Sequence, residues 1–111
     1  MEIAIREDGR VRIVSVTGDL VIGESEASFK RAVTRLIDDG HVDLLLDLGK
    51  VGMVDSTGLG ALVRTLTTAQ KEGGQAKLLS PPPNLKKLLE MTQLDSVFDI
   101  HQDLEEAVAS F

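Results

Sequence analysis

The sequence predicts an α/β fold, a mostly parallel sheet with an N-terminal antiparallel hairpin and helices packed on it. Three observations carry this. Short β-type apolar runs alternate with stretches at three-four helical spacing, which calls for parallel strands with helical crossovers. Glycines and prolines mark the handovers between them. The first two strands are separated by only a tight-turn dipeptide, so one edge must be antiparallel. At 111 residues, 42% hydrophobic and 27% charged, the chain supports one hydrophobic core but not two, and a single domain over 1–111 is expected.

The elements follow in order. "IAIRE" and "RVRIVSV" read as strands flanking Asp8-Gly9, a dipeptide that favours a hairpin turn. After "GDLVIGES", Phe29, Ala32, Val33, Leu36 and Ile37 recur on one helix face, and Gly40 stops the helix. Val42 to Leu48, "VDLLLDL", is nearly all apolar, as in a central strand covered on both sides. "STGLGALVRTLTTAQKE" predicts a helix with Leu59, Leu62, Val63 and Leu66 inward, ended by Gly73-Gly74. "AKLLS" is a strand that Pro81 to Pro83 cannot continue, and "NLKKLLEMTQL" supplies the next helix with Leu85, Leu88 and Leu89 inward. "VFDIH" reads as the last strand, and Leu104, Ala107, Val108 and Phe111 form the stripe of a terminal helix.

Composition excludes several functions. A formal charge of −6, with three Phe and neither Trp nor Tyr, argues against binding nucleic acid. No apolar run approaches the length of a spanning helix, so direct membrane insertion is not expected. With no cysteine and no secretory h-region after Met1, a cytoplasmic protein is expected. Neither His41 nor His101 has metal-pair spacing; both are expected to be solvated, and no metal or cofactor is expected. Lys86-Lys87 reads as a solvated helix face, and Leu20 to Ile22 as apolar residues stapling a helix to the core, with a partner-facing apolar rim as the alternative.

The unusual stretch is "VDSTGLGALV", Val54 to Val63. Asp55 and Ser56 stand where a strand hands over to a helix, and both are good N-caps. Capping does not account for Gly58 and Gly60, which weaken a first turn unless something must approach the backbone closely. A partner's surface would explain them. A dinucleotide fingerprint does not fit, since Val63 stands where Gly or Ala should close it, and a nucleophile elbow would need glycine at Val54. The chain is poorly equipped for catalysis and is not expected to be an enzyme.

"MVDSTGLGALV" resembles the phosphorylation loop and second helix of STAS domains, in particular the anti-sigma factor antagonists of bacterial partner-switching systems. "VTGDL", Val16 to Leu20, is similar to that family's second-strand ending, and "KKLLEMTQLDSVFDI" to its closing helix and strand. The resemblance implies a regulator whose unphosphorylated form sequesters an anti-sigma factor, itself a serine kinase of the histidine-kinase-like ATPase type. It implies phosphorylation at Ser56, with Thr57 the weaker candidate, and reversal by a PP2C-type serine phosphatase. The partner would meet Asp19, Val21, Asp55, Ser56, Thr57, Gly58, Leu59 and Gly60. Val21 departs from the pattern, because many members carry an acid there, and Asp19 replaces a glutamate. Two rival readings are a STAS subunit of a membrane-lipid ABC transporter, without phosphotransfer, and a small nucleotide-binding module.

Overall fold

A computed structural model describes residues 1–111. The strands are β1 (Glu2–Asp8), β2 (Val11–Thr17), β3 (Asp43–Lys50), β4 (Gln75–Leu79) and β5 (Ile100–His101). The helices are α1 (Glu24–Asp38), α2 (Ser56–Lys71), α3 (Pro83–Met91) and α4 (Leu104–Ala109). The element order is the expected one, and the strands lie side by side in chain order. β1 pairs with β2 antiparallel; all other pairs are parallel.

The strand pleat divides the core in two. Val14 and Val16, Leu44, Leu46 and Leu48, and Leu78 face α1, α2 and α3 in one cluster of 22 buried residues. Val11, Ile13, Leu45 and Leu79 face the other way, under Ala107 of α4. The apolar run in β3 is thereby explained, since its alternate leucines serve opposite faces. Leu59, Leu62 and Leu66 point inward as the spacing predicted, but so do Ala61, Thr65 and Ala69. Thr65 is tolerated there because its hydroxyl donates to the Ala61 carbonyl at 2.9 Å.

Three helices end in the same way. After each, one residue turns left-handed, Gly40 at φ 89°, Gly73 at φ 86° and Gln93 at φ 60°. The following N–H then reaches back to a carbonyl inside the helix: His41 to Leu36, Gly74 to Ala69 and Leu94 to Leu89. The third cap corrects the sequence reading, which ran α3 on to Leu94; a glutamine performs the glycine's role, so the stop carried no sequence signal. The last strand is also shorter than "VFDIH". Asp95 to Val97 form a turn that sends Phe98 into the core and leaves Val97 exposed. The hairpin turn is Gly9-Arg10 rather than Asp8-Gly9, since Asp8 pairs with Val11 inside the ladder. Gly9 alone has positive φ, 60°, as in a type II′ turn whose first central residue is glycine.

Candidate functional site

The handover from β3 to α2 is held from three sides. Beyond Lys50 the chain runs to Val54, which forms a lone parallel bridge with Leu20. The Leu20 N–H donates to the Met53 carbonyl at 2.9 Å. On the other flank the Asn84 side chain grips Val54 twice: the Val54 N–H donates to Asn84 Oδ1 at 3.1 Å, and Asn84 Nδ2 donates to the Val54 carbonyl at 2.8 Å. Sequence reasoning missed Asn84, because an asparagine at a helix start reads as a cap rather than as a clamp on a distant strand end.

Asp55 completes the arrangement. It is the N-cap of α2, Oδ1 accepting from the Gly58 N–H at 2.7 Å. Its other oxygen accepts from the Ile22 N–H at 2.9 Å, tying the β2–α1 loop to the start of α2. The N–H groups of Ile22 and Gly58 hold the Asp55 carboxyl below the usual carboxylate range. Capping was legible in the sequence; the second bond, 33 residues away in the chain, was not.

Around this framework the expected site residues separate by exposure. Asp19 and Ser56 are exposed, and Val21, Asp55, Thr57 and Gly60 are partly so. Gly58 and Leu59 are buried, which corrects the expectation that both offer themselves to a partner. A Cβ on Gly58 would run into the Leu20 carbonyl and come within 2.9 Å of Val54 Cγ1. Its reason is internal: the Leu20 backbone must pass against the first turn of α2. Gly60 differs, with nothing within 4 Å of a Cβ built there. The apolar segment Leu20 to Ile22 divides likewise, Leu20 fully buried and Ile22 73% exposed. Ile22 and the half-exposed Met53 flank the Asp19–Ser56 region as apolar surface; Ile22 stands out as a rim rather than a staple, and Met53 was not singled out in the sequence.

What the surface offers here is a hydroxyl, a carboxylate and apolar side chains around a helix N-terminus. Ser56, the first residue of α2, is exposed at a helix end where unpaired N–H groups and the dipole favour an anion. The glycines lie within α2, not in a turn before it, so they do not form a phosphate loop. At the β5 edge of the sheet, Asp99, His101 and Ser110 gather, which corrects the expectation of a merely solvated His101. Both His101 contacts run through Nε2, 3.5 Å to Asp99 and 3.4 Å to Ser110. A hydroxyl–imidazole–carboxylate relay needs both ring nitrogens, so this cluster anchors α4 rather than activating a nucleophile. No group of three or more acidic or histidine side chains is arranged to hold a metal ion, and no helix is long and apolar enough to cross a membrane.

The STAS domain family model matches residues 2–107, and the chain belongs to that family. The anti-sigma-B factor antagonist of Bacillus subtilis (strain 168) is 32% identical over 95 residues, covering 86% of this chain and 85% of that protein. A Thermotoga neapolitana relative is 31% identical over 86 residues, 77% of this chain and 76% of its own length. The crystal structure of an anti-sigma factor antagonist from Mycobacterium paratuberculosis superposes with a TM-score of 0.83 at 25% identity, covering 98% of this chain and 92% of that one.

Proposed function

We propose that the chain is an anti-sigma factor antagonist, a regulatory binding protein rather than an enzyme, with residues 1–111 acting as one STAS domain. Its unphosphorylated form sequesters an anti-sigma factor that is also a serine kinase of the histidine-kinase-like ATPase type. Phosphorylation of Ser56 releases that partner, and a PP2C-type phosphatase restores binding. The observation that carries this reading is the position of Ser56, exposed on the first residue of α2 directly beside a carboxylate already fixed by two backbone N–H groups.

The physics of such a switch is asymmetric. A phosphate adds about −1.5 to −2 of charge at neutral pH. At a helix N-terminus that charge meets free N–H groups and a favourable dipole, so the fold accommodates it even with Asp55 adjacent. A partner seated over Asp19, Ile22, Met53 and Gly60 must instead desolvate it. An unpaired charge buried in an interface costs several kcal/mol, which weakens binding roughly a hundredfold or more.

The test compares wild type, Ser56→Ala and Ser56→Asp by thermal melting, and by affinity for a kinase captured from native lysate with and without ATP. Intact mass of the bait is measured alongside. All three should melt alike, Ser56→Ala should bind regardless of ATP, and Ser56→Asp should bind weakly. Phosphorylation of Ser56→Ala at Thr57 with equal loss of binding would move the switch to Thr57. Wild-type mass and binding indifferent to ATP would refute the phosphoswitch.

A further inference from the structure

β1 is the outermost strand of the sheet, so one side of its backbone has no neighbour. The closing pair of the hairpin, Asp8 with Val11, fixes which groups lie on that side. In a two-residue hairpin the closing pair exchanges hydrogen bonds and the pattern alternates from there. Glu2, Ala4, Arg6 and Asp8 therefore turn their N–H and C=O towards β2, and Ile3, Ile5 and Glu7 turn theirs outward. All of β1 except Ile3 is exposed, Ile5 to 46%. Such a row of open donors and acceptors is a template for another strand.

The side chains select which strand. On one face of β1 stand Glu2, Ala4 and Arg6, level with Thr17, Ser15 and Ile13 of β2. On the other stand Ile3 and Ile5, level with Val16 and Val14 of the larger core. Neither Glu2 nor Arg6 belongs to an ion pair within the chain.

We propose that this edge takes the same edge of a second copy, antiparallel about a two-fold axis at Ala4, joining the two sheets into one. In that register Glu2 of each copy faces Arg6 of the other, and Ile3 of each faces Ile5 of the other. The outward groups of Ile3 and Ile5 meet as hydrogen-bonded pairs, as an antiparallel ladder requires. Charges on an edge ordinarily block pairing; here the register makes them complementary, and directly opposed unlike charges and β-branched pairs both favour a ladder. The symmetric alternative centred on Ile5 sets Glu2 against Asp8 and Ile3 against Glu7. The one centred on Ile3 shortens the ladder and leaves Arg6 without Glu2. Only the Ala4 register satisfies both faces.

Sedimentation equilibrium over a concentration series tests this. The mass should rise from that of one 12.0 kDa chain towards double. Arg6→Glu sets like charges opposite each other twice and should raise the half-association concentration about tenfold or more; Glu2→Arg should do the same. The double variant Glu2→Arg/Arg6→Glu restores complementarity and should return within about threefold of wild type. Ile5→Pro removes an outward N–H while sparing the bonds to β2, so association should be lost with the circular dichroism spectrum unchanged. A single-chain mass up to millimolar concentration overturns the proposal. So does association indifferent to Arg6→Glu, or a double variant as weak as the single ones.

Discussion

Two glycines two residues apart in α2, Gly58 and Gly60, and so on opposite sides of the helix, occupy opposite worlds. Gly58 forms part of a buried floor with Leu20 and Val54, where the backbones of two segments touch. Gly60 belongs to a rim with Ser56, Asp19, Ile22 and Met53, open to whatever approaches. The difference teaches that the loop we propose as the recognition site mixes residues that shape it with residues left at its surface. Stability measurements separate the two groups where residue type does not.

The largest effect is expected at the floor. Gly58→Ala drives a methyl group into the Leu20 carbonyl, a backbone group that cannot swing aside, so the cost falls at or above the top of the range for overpacking, about 1–3 kcal/mol, and exceeds alanine's helix preference of ~1 kcal/mol. Urea unfolding should show the loss; a variant as stable as wild type would erase the boundary between floor and rim. Asp55→Ala comes next, removing the cap of α2 and the tie to Ile22, at about 0.5–2 kcal/mol.

Asp55 also makes a pH prediction whose sign is fixed. Ile22 and Gly58 donate to its ionised form and depress its folded pKa. Asp99 is likewise depressed, by Lys77 foremost. A depressed carboxylate contributes stability that is fully present above the unfolded value, near 3.9 for Asp. That contribution is lost as pH falls through the folded value. Urea midpoints should therefore fall with acidification below about pH 4, and Asp55→Asn, which still caps, should flatten that slope. An equally steep slope in the variant would mean that Asp55 titrates alike folded and unfolded.

The smallest stability change belongs to the rim. Gly60→Ala meets nothing within 4 Å and should stabilise the domain by about 0.4–1 kcal/mol while lowering affinity for the captured partner. If binding is unmoved, the rim does not extend to Gly60.

The sequence disclosed what is local and repeated. Helix stripes, the double-sided strand Asp43–Lys50, the cap at Asp55 and the stops at Gly40 and Gly73 all express periodicity or backbone conformation that a residue type betrays. What it withheld is long-range or exceptional. Gln93 turns left-handed where glycine is the usual signal. Lys77, in the middle of β4, is almost fully buried, because Ser110, Asp99 and the ring of Phe111 converge on its ammonium group. Nothing in "QAKLL" distinguishes that lysine from a solvated one. The opposite fates of Leu20 and Ile22 were equally hidden, since an irregular segment has no period to read.

The Asn84 clamp has a consequence in time rather than in space. Its amide presents one acceptor and one donor to Val54, as a neighbouring peptide group would, so a side chain stands in for a strand beside the start of α2. That imitation depends on a single nitrogen. Hydrolysis of the side-chain amide to aspartate, water entering and ammonia leaving, keeps the outline but would replace the donor with an anionic oxygen facing the Val54 carbonyl. The surface beside Ser56 would then lose its footing through chemical ageing alone, in a molecule whose core had not changed.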